Sequence, residues 1–205
     1  MQATVQKRDP AICRRWSSTG FRRLVLLLLA VLSSLARTQV VSAQASANSE
    51  YQVKAAFLFH FAQFVDWPPE TFKGANSPVT YCTIGEDPFQ GALDQSLSGK
   101  MIGARPLRVQ HFKQPQQMQD CQILFIGAVD KKRMSTALAS VRGNPVLTVS
   151  DSEHFAQEGG MIGFCLEENK IRFEINLDAA GEAKLKISAK LLALARKVFG
   201  NPRGN

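Results

Sequence analysis

Apolar residues in this chain form short continuous runs that alternate with longer segments in which they recur at helical spacing. The runs predict strands at Val79–Ile84, Leu107–Phe112, Ile123–Ile126, Val146–Val149, Met161–Leu166 and Ile171–Ile175. Helices are predicted at Glu50–Asp66, after Asp87-Pro88, from Asp130 to Val141, briefly after a Ser150 or Asp151 cap, from Asn176, and from Ser188 to Val198. This alternation predicts an α/β fold: a single layered domain with a mixed, mostly parallel central sheet flanked by helices.

Polar residues follow three of the predicted strands, where loops at the carboxyl ends of parallel strands usually line a ligand crevice. These loops make a small-molecule pocket a candidate, formed by Glu86, Asp87, Asp130, Ser150 and Asp151. The alternative is that the three aspartates only cap helices, since capping alone accounts for their positions.

The first predicted helix is apolar around nearly its whole circumference. A helix of that kind is either central in the core or buried against a partner. The aromatic density of FLFHFAQF suits a dimer or partner surface, and the core is the other interpretation. His60, in this segment, is expected to be a core or interface histidine.

Residues 1–43 have the features of an export signal, with a basic start, the apolar run Leu24–Leu35 and small residues up to Ala43. As a helix the apolar run rises about 18 Å, well short of the ~30 Å hydrocarbon core, so cleavage is preferred over a membrane anchor. The chain is therefore divided into a signal peptide (1–43), a short leader (44–49), one domain (50–199) and a flexible tail (200–205). The mature protein is expected in the periplasm.

Removal of the signal changes the electrostatic picture. The whole chain carries 25 basic and 17 acidic residues, a net charge of +8. Residues 1–43 hold seven of the basic residues and one of the acidic ones, which leaves 18 and 16 and a net charge of +2. A nucleic-acid binder needs a denser positive field. Nucleic acid is therefore not expected as a partner.

Three cysteines remain after the signal. In an exported protein they can form one disulfide, for which there are three possible pairings. Cys82 and Cys121 lie in two runs predicted to be core strands, so their Cα atoms could come within about 5–6 Å of each other. This pair is favoured, and Cys165 is expected to be a buried free thiol.

Catalytic and cofactor motifs are sparse. His154 follows Ser150, Asp151 and Ser152, but no nucleophile elbow or oxyanion motif accompanies them. No CxxC or HExxH spacing indicates a metal, and Gly159-Gly160 precedes a strand rather than following one. The sequence therefore predicts neither an enzyme nor a cofactor.

Six segments, in order along residues 50–199, resemble the YfiR-like periplasmic family: YQVKAAFLFHFAQFVDWP, IGEDPF, CQILFIG, PVLTVSD, GGMIGF and IRFEINLDAAGEAKLKISAKLLALARKV. Cys82 and Cys121 also match a cysteine pair of that family. The resemblance implies a non-enzymatic periplasmic regulator that represses a membrane-bound diguanylate cyclase by binding its periplasmic sensor part. It further implies an outer-membrane lipoprotein as a second partner, and a role in cyclic-di-GMP signalling and biofilm formation.

Two hypotheses from different classes follow. The first is the protein-binding repressor, which we expect to be a homodimer; its partner surface is expected among the apolar residues Met161, Ile162, Phe164, Leu177 and Leu185. The second is a periplasmic small-ligand-binding module that serves another sensor or a transport system. A neighbouring gene for a membrane diguanylate cyclase would favour the first, and a kinase or transporter neighbour the second.

Export predicts a defined N-terminus. Mass spectrometry of the protein taken from the periplasm should find the chain beginning near Gln44, because signal peptidase cleaves after small residues such as those ending at Ala43. A full-length product retained in the membrane would contradict the signal-peptide interpretation.

Overall fold

Strands and helices assemble around an eight-stranded sheet in a computed structural model that describes residues 49–115, 118 and 120–200. The predicted signal peptide, the leader up to residue 48 and the tail after residue 200 lie outside the described residues. The helices are α1 (residues 49–63), α2 (Ala92–Leu97), α3 (Lys131–Val141), α4 (Leu177–Glu182) and α5 (Ala189–Leu194). The strands are β1 (Val65–Asp66), β2 (Val79–Ile84), β3 (Met101–Ile102), β4 (Arg105–Phe112), β5 (Ile123–Ile126), β6 (Leu147–Ser150), β7 (Ile162–Glu167), β8 (Lys170–Asn176), β9 (Lys186–Ile187) and β10 (Lys197–Phe199).

The strand order of the large sheet is β10-β8-β7-β6-β5-β2-β4-β3, while β1 and β9 form a separate antiparallel pair. Within the large sheet, the β7–β8 hairpin and the β3–β4 pair are antiparallel, and the other neighbours are parallel. The predicted fold class, a mixed and mostly parallel sheet flanked by helices, is confirmed.

Each face of the sheet has its own apolar core. Alternate residues of β2 and β5, such as Tyr81 and Phe125, point to the face that α1, α2, α4 and α5 cover. The intervening residues, such as Ile84 and Leu124, point to the opposite face and pack with Met134 of α3. Because side chains alternate along a strand, two-sided burial explains why the central strands are continuous apolar runs.

The first helix buries one face rather than its whole circumference. Leu58 and Phe61 are fully buried against the sheet, whereas Val53 is 46% exposed. His60 also lies on the exposed side, with Nδ1 3.0 Å from the amide oxygen of Gln63, so the expected core position is wrong and the interface position stays a prediction. Helix α1 ends at residue 63, and Val65–Asp66 pairs with β9 instead of continuing the helix.

Two predicted helices differ in the structure. No helix follows Ser150, where residue 152 is a bend and residues 153–159 form turns. The final helix stops at Leu194, and Lys197–Phe199 becomes strand β10 beside β8. The backbone N–H of Arg196 donates to the carbonyl of Phe173 at 2.8 Å, so a pairing partner distant in sequence replaces the last helical turn.

A disulfide joins β2 to the start of β5. Cys82 and Cys121 are bonded with their Cα atoms 5.9 Å apart, which is the pair that the sequence favours. Both cysteines are buried, and Cys165 is free and half-buried rather than fully buried as expected. The bridge closes a loop with a sequence separation of 39.

Loss of this bridge should destabilise the domain. In the chain-entropy model a loop of this size contributes about 4 kcal/mol, so the double variant Cys82→Ala/Cys121→Ala should lower the free energy of unfolding in urea by about that amount. Cys165→Ala serves as the control and should change stability by less than about 1 kcal/mol. Equal stability of the double variant and the unsubstituted protein would contradict the prediction.

Candidate functional site

The carboxyl ends of β2 and β5 form the topological switch point of the sheet. The chain leaves β2 for β4 on one side, and then leaves β5 through α3 for β6 on the other side. Connections that diverge in this way open a crevice between the two loops, where ligands of doubly wound sheets bind. Two glycines bring the loops together: Gly85 has a φ of 93°, and a Cβ on Gly127 would collide with the carbonyl oxygen of Glu86.

A cleft of about 720 Å³ lies at this switch point. The charged residues that line it are Glu86, Lys113, Asp130, Lys132 and Arg133. Of the five residues predicted for a ligand pocket, the structure therefore brings Glu86 and Asp130 to one cleft. Mixed charge around this volume suits a polar small molecule better than an apolar one.

Two of the predicted pocket aspartates cap backbone groups. Asp130 accepts a hydrogen bond from the N–H of Arg133 at 2.9 Å and is the N-cap of α3. Asp87 accepts from the N–H of Phe89 at 3.0 Å and caps a turn, while α2 begins only at Ala92. The helix-capping alternative therefore describes Asp130, whereas Asp87 caps a turn and not a helix.

Asp151 has a different role, which links β6 to α1. Its Oδ2 accepts hydrogen bonds from the hydroxyl of Tyr51 and from Nζ of Lys54, both at 2.7 Å. Lys54 is only 5% exposed, and its Nζ also lies 2.6 Å from Oε1 of Glu50. Partial burial and the bond to Asp151 raise the pKa of Tyr51, which therefore remains a hydrogen-bond donor. This ion-pair network anchors the first helix to the carboxyl end of β6.

Ser150 is a buried structural hydroxyl. Its Oγ donates to the carbonyl of Ile126 at 2.7 Å and lies 3.1 Å from the N–H of Ser152. Neither Ser150 nor Asp151 caps a helix, because the chain enters turns at this point. The His154 ring lies 3.5 Å from a carboxylate oxygen of Glu153 and 3.4 Å from the amide nitrogen of Gln157, two neighbours on the same turn.

A second cleft of about 480 Å³ lies beside the Lys54 network. Asp151, Cys165, Glu174 and Arg196 are among its lining residues. A hydrogen bond to Cys165 raises the pKa of the Arg196 guanidinium, which also forms ion pairs with Glu167 and Glu174. Of the predicted pocket residues, Glu86 and Asp130 thus line one cleft and Asp151 lines another, whereas Asp87 and Ser150 line neither of these two clefts.

Sequence reasoning missed a histidine contact at the end of β2. Nδ1 of His111 lies 2.7 Å from Oγ1 of Thr83, and Nε2 lies 3.3 Å from Oδ2 of Asp94. Hydroxyl, imidazole and carboxylate in a row are the components of a catalytic triad. Thr83 is only 3% exposed, however, so a substrate carbonyl cannot reach its hydroxyl. The register of parallel strands, Thr83 opposite His111, is the signal that would have found the contact.

The predicted partner surface is wrong for four of its five residues. Met161, Ile162, Phe164 and Leu185 are at most 6% exposed, and Leu177 is half-buried. The reason is that α1 covers this part of the sheet: the ring of Phe57 lies 6.0 Å from that of Phe164 and 5.7 Å from that of Phe173. Within residues 161–185 the exposed large apolar side chain is Leu166, at 61%.

The described residues contain neither a metal-ligand cluster nor a membrane-spanning helix. Among them, no group of three or more His, Cys, Asp or Glu side chains is arranged to hold a metal ion. None of the helices in that part of the chain combines the length and apolar character needed to cross a bilayer.

These features define a layered α/β domain whose buried polar residues mostly hold its own elements together. A family model described as YfiR/HmsC-like matches residues 51–196, which is most of the chain. The protein therefore belongs to the YfiR/HmsC-like family, as the six sequence segments indicated.

Removal of the Asp151 carboxylate should destabilise the domain without any ligand present. Asp151→Ala leaves the buried Lys54 with Glu50 alone, so we expect a loss of about 2 kcal/mol, less than the roughly 3–5 kcal/mol of a fully orphaned buried charge. Tyr51→Phe removes a single hydrogen bond and should cost about 1 kcal/mol. Urea unfolding followed by circular dichroism measures both.

Glu153→Ala is the matched control, because this carboxylate belongs to the same loop and its side chain is 90% exposed. It should leave the unfolding midpoint unchanged. If Asp151→Ala were as stable as Glu153→Ala, the Lys54 network would not anchor α1.

Proposed function

We propose that this protein is a non-enzymatic periplasmic regulator that binds the periplasmic sensor part of a membrane-bound diguanylate cyclase and represses it. Family membership over residues 51–196 is the observation that carries the proposal. The repressor lowers cyclic-di-GMP signalling and biofilm formation. An outer-membrane lipoprotein that sequesters it and a homodimeric state are further parts of the same proposal.

The chemistry of the described residues supports regulation through contact rather than catalysis. The hydroxyl of Thr83 is buried, and the carboxylates of Asp87, Asp130 and Asp151 hold backbone groups or the Lys54 network. A protein that acts by contact can change its target only by binding one of two target states more tightly. Repression here is therefore a difference in affinity between an active and an inactive cyclase.

The size of that difference sets how much surface is needed. A shift of the cyclase from 99:1 active to 99:1 inactive takes about 5.5 kcal/mol of preferential binding. At ~25 cal/mol per Å² this corresponds to about 220 Å² of state-specific apolar contact. Burial of about two to four leucine-sized side chains, at roughly 1.5–3 kcal/mol each, would be sufficient.

The exposed large apolar side chains of β7, α5 and β10 are the candidates for such a surface. Leu166 of β7 is 61% exposed, Leu194 at the end of α5 is 60% exposed and Val198 of β10 is 37% exposed. Arg196 lies between Leu194 and Val198 in the chain, and its ion pair with Glu167 ties this segment to the residue after Leu166. We call Leu166, Leu194 and Val198 the closing patch, and it replaces the buried residues first considered for the partner surface.

A second candidate function is a small-ligand-binding module for another sensor or a transport system. The observation that favours it is the cleft of about 720 Å³ at the carboxyl ends of β2 and β5. A ligand there would stabilise the folded protein in proportion to its occupancy. A thermal-shift screen of periplasmic metabolites, repeated with Lys132→Glu, which alters the cleft lining, tests this alternative directly.

Deletion of the gene should raise cellular cyclic-di-GMP and biofilm formation, because the cyclase loses its repressor. Restoration of the unsubstituted gene should reverse both effects. Unchanged cyclic-di-GMP in a clean deletion strain with an intact neighbouring cyclase would refute the repressor and leave the ligand-binding module as the better account.

Charge insertion in the closing patch should reproduce the deletion. Leu166→Glu and Leu194→Glu place a carboxylate where apolar burial is needed, so each should raise cyclic-di-GMP while periplasmic protein level stays constant. Ala139→Glu adds the same charge to an exposed position of α3 and should leave repression intact. Full repression by the double variant Leu166→Glu/Leu194→Glu would exclude the closing patch as the contact surface.

A further inference from the structure

One long strand edge of the sheet has no pairing partner within the described residues. Strand β4 pairs with β2 along all six residues from Leu107 to Phe112. On its other side β3 pairs only with Arg105 and Pro106. The outer edge of Leu107–Phe112 therefore presents unpaired backbone groups, about three N–H and three C=O since alternate residues point to each edge.

The helices leave this edge accessible. Helix α2 packs on the face of the sheet where Leu107 and Val109 point, with Leu93 and Leu97 in the same core cluster. On the opposite face, α3 packs over Ile84 and Leu124, toward the centre of the sheet. A groove of about 380 Å³ remains there, lined in part by Arg108, Gln110 and Phe112.

The opposite edge of the sheet, at β10, offers a much shorter strand for pairing. Strand β10 has only three residues, Lys197–Phe199, with β8 as its neighbour. A strand that adds to an edge gains affinity from each backbone hydrogen bond and specificity from alternate side chains. The β4 edge is therefore the better site for strand addition.

The positive charge of the β4 edge indicates which kind of partner segment binds there. Residues 105–113, RPLRVQHFK, contain four basic side chains if His111 is counted and no acidic one. Two of them are engaged: Arg105 donates to the carbonyl of Gly74 at 2.7 Å, and His111 contacts Asp94. Arg108 and Lys113 are exposed, and in the part of the chain that the structure describes neither forms an ion pair. They are separated by five residues, about 17 Å along an extended strand.

We propose that the outer edge of β4, at Leu107–Phe112, binds an extended acidic segment of a partner protein as an additional strand. The backbone of the segment pairs with the free edge, and carboxylates on one face of the segment pair with Arg108. Lys113, just after the end of β4, adds to the positive charge of this edge. The inference concerns how a partner is held and does not rest on that partner being a cyclase.

A second copy of this chain is the less suitable occupant. Antiparallel pairing of two β4 strands would bring Arg108 of each copy into the same small region beside a strand without acidic residues. Like charges across a strand pair are destabilising, and charged edge strands are a common protection against self-association. An acidic strand at the same edge would instead be attracted by these basic side chains.

Peptide binding tests the proposal on the mature protein. The probe is a short capped peptide in which glutamate alternates with valine and threonine, titrated by fluorescence polarisation at low salt. We expect binding that weakens with added salt and about tenfold weaker binding by Arg108→Glu. Lys190→Glu, an exposed charge reversal on α5, should bind as the unsubstituted protein does.

Amide hydrogen exchange locates the contact. Bound peptide should slow exchange at alternate residues of Leu107–Phe112, because those N–H groups become hydrogen-bonded. The same peptide with alternate backbone nitrogens methylated keeps its charges but cannot pair as a strand, so it should not bind. Circular dichroism and urea unfolding establish that each variant is folded.

Several outcomes overturn the proposal: no binding of the acidic peptide, equal binding of a lysine-for-glutamate peptide or of the methylated peptide, an unaffected Arg108→Glu, or protection outside β4. Concentration-dependent protection of the β4 amides in the free protein, together with self-association in sedimentation, would instead assign the edge to a second copy.

Discussion

The parallel pairing of β2 with β5 is the interaction on which the rest of the structure depends. All six residues of β2 and all four of β5 are buried, so the backbone groups between them have no access to water. Gln122 completes the pairing where β5 begins: its side-chain oxygen accepts from the N–H of Thr80 at 2.8 Å, and its own N–H donates to the carbonyl of Thr80 at 3.0 Å. The Cys82–Cys121 bridge fixes the same junction covalently.

This central pair determines where binding can occur. At the amino end of β5, the disulfide and Gln122 leave the two strands little freedom to separate. At the carboxyl end, Gly127 allows the loops to approach, and its N–H donates to the carbonyl of Ile84 at 2.9 Å. The strands then diverge into connections on opposite sides, which opens the switch-point cleft. Strands β2 and β5 are thus held rigidly at one end, and the loops that follow them at the other end can contact a ligand without deforming the core.

Local signals in the sequence predicted the centre of the fold well and its periphery poorly. The bounds of β5 and the capping of α3 by Asp130 agree with the structure, because a continuous apolar run and an N-cap depend on neighbouring residues. Strand β10 was missed because the apolar residues of this segment recur at helical spacing, whereas in the structure Lys197–Phe199 pairs with β8. The Lys54–Asp151 contact joins residues 97 apart, so no local pattern could reveal it. The hairpin residue Phe164 was wrongly placed on the surface, because its burial comes from α1, more than a hundred residues away.

The polar groups at the carboxyl ends of the central strands are already engaged in holding the fold together. Asp87, Asp130, Asp151 and Ser150 each hold a backbone group or another side chain, and a group held in this way is costly to recruit for chemistry or for ligand binding. Among the described residues, exposed groups that can still recognise a partner include Leu166 and Leu194 at one end of the sheet and Arg108 and Lys113 at the other. The two ends differ in chemistry, one apolar and one basic with an open strand edge. Two such surfaces on one small domain allow contacts with different partners or with two parts of one partner, and the rigid β2–β5 centre holds them at a fixed separation.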